Sequence, residues 1–126
     1  MKRNKLMSYI IGAGVAGTII VVPYVGLAFW RTVLPQIRDI YVPFFLLPLV
    51  WGFWNWLYIR LHQPFDIGAW AALLGFILGL AGNVFLYANG QWFPGVLIAP
   101  VFGAAVYYLL WHLIIGPLNK AFDVYE

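Results

Sequence analysis

The segment from Ile67 to Ala88, IGAWAALLGFILGLAGNVFLYA, sets the architecture. It holds no Asp, Glu, Lys, Arg or His, and it is as long as the ~20 apolar residues a helix needs to cross a hydrocarbon layer. In lipid a backbone must satisfy its own amides, and a single segment does so only as a helix. Polar punctuation bounds it on both sides: His62-Gln63-Pro64-Phe65-Asp66 before it, Asn89-Gly90-Gln91 after it.

On either side of this segment, three further apolar runs share the same plan, roughly 6–30, 40–61 and 92–116. Proline punctuates them at Pro23, Pro43, Pro48 and Pro100, and Pro117 is expected to end the last. The links are too short to cross a membrane, so consecutive runs must be antiparallel neighbours. The expected architecture is all-α: a polytopic membrane protein with four antiparallel transmembrane helices in a single domain, residues 1–126. Composition agrees, since 64% of residues are hydrophobic and only 9% charged, against ~25% in a water-soluble domain.

Met1-Lys2-Arg3-Asn4-Lys5 and the apolar run behind it resemble the start of a signal peptide, but the run is too long, and an uncleaved first span is expected. Lys2, Arg3, Lys5, Arg60 and Lys120 fall on the side of the termini, and Arg31 and Arg38 on the other. Basic residues concentrate on the cytoplasmic face, which places both termini there, in a multi-pass protein of a bacterial-type inner membrane. Aromatic rings sit at both levels, Trp30, Tyr41, Tyr87 and Trp92 outside, Tyr9, Trp54, Trp56, Tyr58, Trp70 and Trp111 inside. Such rings favour the headgroup region.

Gly12-Ala13-Gly14-Val15-Ala16-Gly17 spells a dinucleotide-binding fingerprint, with Asp39 downstream. That chemistry needs a strand, a tight turn and a helix N-terminus aimed at pyrophosphate, and none is present in this apolar run. Small residues of this kind instead let helix backbones approach closely. Gly12, Ala16 and Gly17 in the first run, and Gly75, Gly79 and Gly82 in the third, are the expected helix-packing positions.

Two amides lie within the apolar runs, Asn55 and Asn83. They fall in opposite leaflets, ~15 Å apart along the membrane normal, so each needs its own partner. Pro100 cannot donate to the carbonyl of Val96, which lies at the depth of Asn83. An Asn83 bond to that carbonyl is therefore expected. Asn55 lies level with the glycines of the first run.

Arg60, His62, Asp66 and His112 gather at the inner rim. His62 and His112 are candidate ligands for haem, with Trp51, Trp54, Trp56, Tyr108 and Trp111 as porphyrin walls. The rival reading bonds these histidines to backbone, headgroups or Asp66. No HxxxH or HExxH spacing supports a metal site, and the lack of cysteine excludes thiolate ligands. No cofactor is required by the sequence, haem and quinone being the alternatives that its aromatic content of 20% admits.

No ionised side chain falls inside a span away from its ends, which argues against a proton- or cation-coupled pump. No paired carboxylates or Ser/His set shares one depth, which argues against a membrane enzyme. The net charge of +3 lies at span ends and gives nucleic acid no patch to bind. The expected partners are membrane lipids and other integral-membrane subunits or copies of the same chain. The expected function is a non-catalytic accessory or scaffolding subunit of a larger membrane complex, one that handles electrons, pigments or lipids. The alternatives are a homo-oligomeric channel or facilitator for a small solute, and a haem- or quinone-binding membrane protein.

Overall fold

The computed structural model describes residues 2–34 and 44–124. Arg38, Asp39, the start of the second run at Ile40, Tyr41 and Pro43 lie outside the described residues. Within them every element is helical: α1 (Lys2–Ile19), α2 (Val21–Val33), α3 (Leu47–Arg60), α4 (Ile67–Ala88), α5 (Ala99–Leu110) and α6 (Gly116–Ala121). Short 3-10 turns precede α3 and α5, at Phe44–Leu46 and Pro94–Ile98, and a π turn, Trp111–Ile115, joins α5 to α6.

Among the described residues three helices are long and apolar enough to cross a membrane: Lys5–Val33, Ile67–Ala88 and Pro94–Ala121. The run expected at 40–61 is described only from Phe44, and α3 itself has 14 residues. At 1.5 Å per residue that is about 21 Å, short of a 30 Å hydrocarbon layer.

Each helix end has a local cause. Pro23 has no N–H to offer Ile19, and the break between α1 and α2 falls there, at Ile20. Pro48 sits in the first turn of α3, where its missing N–H costs nothing. Asp66 caps α4, accepting from the N–H groups of Gly68 at 3.1 Å and Ala69 at 3.4 Å. The far end of α4 closes on Gly90, whose φ of 69° is the left-handed conformation that only glycine adopts without strain.

Pro117 does not end the last helix, which continues to Ala121. The reason is the π turn. The N–H of Gly116 reaches back to the carbonyl of Trp111, five residues away, so the hydrogen-bond register has already slipped before Pro117 arrives. One extra residue in a turn also rotates the helix beyond it by about 100°.

The helices pack in two antiparallel pairs, α1 on α3 and α4 on α5. Glycine makes both contacts close. A Cβ on Gly12 would strike the backbone of Trp51, and one on Gly52 would lie 2.8 Å from the Tyr9 carbonyl. In the second pair Gly75 and Gly103 face each other backbone to backbone, and a Cβ on Gly79 would lie 2.5 Å from Pro100. Backbones this near gain dispersion that lipid tails cannot match. Ala16 is buried at the α1–α3 contact, whereas a Cβ on Gly17 or Gly82 would meet nothing within 4 Å. These two glycines, expected at the same faces, stand in open space.

The two pairs join through aromatic rings. Trp54 and Trp70 stack at 4.5 Å, and each indole N–H donates to the other residue's carbonyl, at 2.8 and 3.1 Å. Trp51 packs against Tyr107 and Trp111 and donates to the Tyr107 hydroxyl at 3.1 Å. Here lies the core, with Trp51, Ile59, Trp111 and Ile115 almost wholly buried. No residue of α2 is buried.

Candidate functional site

Among the described residues the most enclosed polar group is a knot of three residues on three helices. Ser8 in α1, Asn55 in α3 and Asn119 in α6 are all fully buried. Asn55 and Asn119 bond reciprocally, Nδ2 to Oδ1, at 3.0 and 2.9 Å. The second N–H of Asn55 donates to the Ser8 carbonyl at 2.7 Å, and the Ser8 hydroxyl donates to Lys5 O at 2.7 Å. A buried amide left without partners costs about 1–3 kcal/mol, so Asn55 and Asn119 each require the other.

Asn55 thus meets the first helix, one turn below the expected glycines. Its principal partner, Asn119, escapes a reading that stops the last helix at Pro117. Ser8 was legible in principle: Ser8, Gly12 and Ala16 recur every four residues on one helix face.

Asn83 forms a second cluster. Its Nδ2 donates to Val96 O at 3.0 Å, the bond expected from the carbonyl that Pro100 leaves free, and to Gly79 O at 2.9 Å. Its Oδ1 accepts from the Trp92 indole at 2.9 Å. Both donors of the amide are therefore engaged within the chain. An apolar groove of about 480 Å³ runs over this cluster, lined by Phe76, Leu80, Tyr87, Trp92 and Leu97.

At the rim, the four residues that the sequence groups together take separate roles. Arg60 lies over the Trp56 ring, 5.4 Å from its centroid. Asp66 is the N-cap of α4. His62 lies two residues past the end of α3, with a φ of 59°, followed by Gln63 at 56°. His112 stacks on Tyr108, ring centroids 5.7 Å apart. A polar cleft of about 350 Å³ is lined by Tyr58, Gln63, Asp66, His112 and Lys120, and His62 does not line it. The imidazoles therefore do not share this cavity.

Two consecutive non-glycine residues in left-handed backbone cost about 1–3 kcal/mol each, and only surrounding bonds hold them. His62 N–H reaches Ile59 O at 3.1 Å and Gln63 N–H reaches Tyr58 O at 3.0 Å, closing the last turn of α3. Among the described residues no three His, Asp or Glu side chains gather as metal ligands would. Thr18, the mid-run hydroxyl of the first helix, donates to Gly14 O at 2.8 Å.

Compared with known protein families, curated proteins and solved structures, the chain matches none.

Proposed function

We propose that this chain is an integral membrane protein that crosses the bilayer four times with both termini in the cytoplasm, and that it serves as a non-catalytic subunit of a larger membrane assembly. The observation that carries the proposal is α2. This helix has Val21, Val22, Val25, Phe29, Trp30 and Val33 half exposed or more, and no residue of it is buried. Among the described residues Tyr24 meets Phe44 edge-on, and beyond its junction with α1 the helix has no close packing against another helix. Helix association in lipid is driven by close packing, and a bare helix of this length is a ready surface for a neighbouring span.

The polar inventory supports the same reading. Ser8, Asn55, Asn83 and Asn119 are committed to structural bonds, which leaves little to move a solute or perform a reaction. A channel built on Asn83 would need a donor that the amide no longer has.

The test is photocrosslinking in intact membranes from benzoylphenylalanine placed at Val22, Val25 or Phe29. Expected is a discrete adduct with another membrane protein or with a second copy. Adducts with lipid alone at all three positions would remove the subunit reading.

A further inference from the structure

The rim cleft has the chemistry of a lipid headgroup site. Its walls come from three helices: Tyr58 and Gln63 at the end of α3, Asp66 at the start of α4, and His112 with Lys120 around the π turn and α6. The amide nitrogen of Gln63 is buried and donates to nothing among the described residues. Burying a donor without an acceptor is costly, and a satisfying ligand atom removes that cost. The strained backbone at Gln63 holds this amide in the cleft wall.

Charge in the cleft is bipolar. Among the described residues Lys120 makes no ion pair, and His112 makes no hydrogen bond beyond its stacking on Tyr108. Both N-cap bonds to Asp66 fall on Oδ2, which leaves Oδ1 without a donor. Phosphate oxygens suit Lys120 and the Gln63 amide through charge-assisted bonds. A primary ammonium suits the Asp66 carboxylate, and a quaternary one has no N–H to give it.

We infer that this cleft binds the headgroup of a zwitterionic phospholipid bearing a primary ammonium, the phosphate on Lys120 and Gln63 and the ammonium on Asp66. The inference rests on the membrane reading above, since only then does the cleft lie at headgroup depth. It adds a small-molecule site to a chain otherwise read as a scaffold.

The test is native mass spectrometry of the full chain, delipidated in detergent and offered phosphatidylethanolamine, phosphatidylglycerol or phosphatidylcholine with matched acyl chains. Phosphatidylethanolamine should be retained most. Lys120→Met and Gln63→Glu should each lower its bound fraction about fivefold or more, as loss of one charge-assisted bond implies. Asp66→Asn keeps a capping side chain and should abolish the preference over phosphatidylglycerol. Arg60→Ala, outside the cleft, should bind as the wild type does.

Equal retention by the wild type and Lys120→Met overturns the site. So does displacement of the lipid by millimolar inorganic phosphate, which would make the cleft a free-anion site. Recovery of the protein in the soluble fraction without detergent overturns the membrane reading itself. Loss of lipid binding by a protein that still needs detergent overturns the headgroup site alone.

Discussion

Asn55 and Asn119 face each other across the core, each amide nitrogen bonded to the other's oxygen at 3.0 and 2.9 Å. The pair ties α3 to α6 at full burial, and through Ser8 it reaches α1. Such a pair satisfies in one contact two groups that neither lipid nor apolar side chains can satisfy.

Replacing Asn119 by Leu strands the Asn55 oxygen, and unfolding in detergent should show a loss of about 1–2 kcal/mol. Replacing both residues by Leu removes the orphan along with the bond. The double variant should lose less than the two single variants added together. A strictly additive cycle would mean that the two amides do not act as a pair.

Glycine replacements should separate by position. Gly75→Ala drives a methyl into the Gly103 backbone and should lower the melting temperature measurably. Gly82→Ala and Gly17→Ala enter open space and trade glycine for a better helix former, a change worth up to about 1 kcal/mol in the stabilising direction. Thermal melts of the three variants in one detergent decide the matter, and the expected order is Gly75→Ala below wild type, the others at or above it.

Asn83→Leu should free the Trp92 indole and leave the Val96 carbonyl with the Ala99 N–H alone. Stability should fall by about 1–2 kcal/mol. Trp92 should also become easier to quench with an aqueous or headgroup-level quencher, relative to Trp111, which is fully buried. Unchanged quenching of Trp92 in the variant, read as the loss of signal relative to a Trp92→Phe control, would show that Asn83 does not hold the indole.

The chain has no cysteine, so topology can be read by single additions. On the proposed orientation, Asn89→Cys reacts with a membrane-impermeant maleimide in intact cells, and Asp123→Cys reacts only after permeabilisation. The reverse pattern would invert the protein in the membrane. Reaction of both from outside would mean that the last run does not cross between them.

Much of the architecture is written in local pattern. Long apolar runs force helices because a backbone in apolar surroundings must bond to itself. Gly75 and Gly79 recur at the spacing of one helix face, and the structure brings that face against α5. The Asn83–Val96 bond could be read from two residues in sequence, since proline always withholds its N–H from the carbonyl four positions back. Glycine pattern alone did not separate Gly75 from Gly82, because both are equally small and only the presence of a neighbour distinguishes them.

Residue order therefore dictates the helical, apolar character of the chain and those bonds whose partners lie within one connection of each other. Which distant groups meet is a matter of three-dimensional packing. A π turn carries the last helix past Pro117 and turns Asn119 inward, so a polar residue that reads as a loop position becomes half of the buried amide pair. The hydrogen-bond slip at Trp111–Ile115 depends on packing around those side chains, and no periodicity in a single strip of residues encodes it.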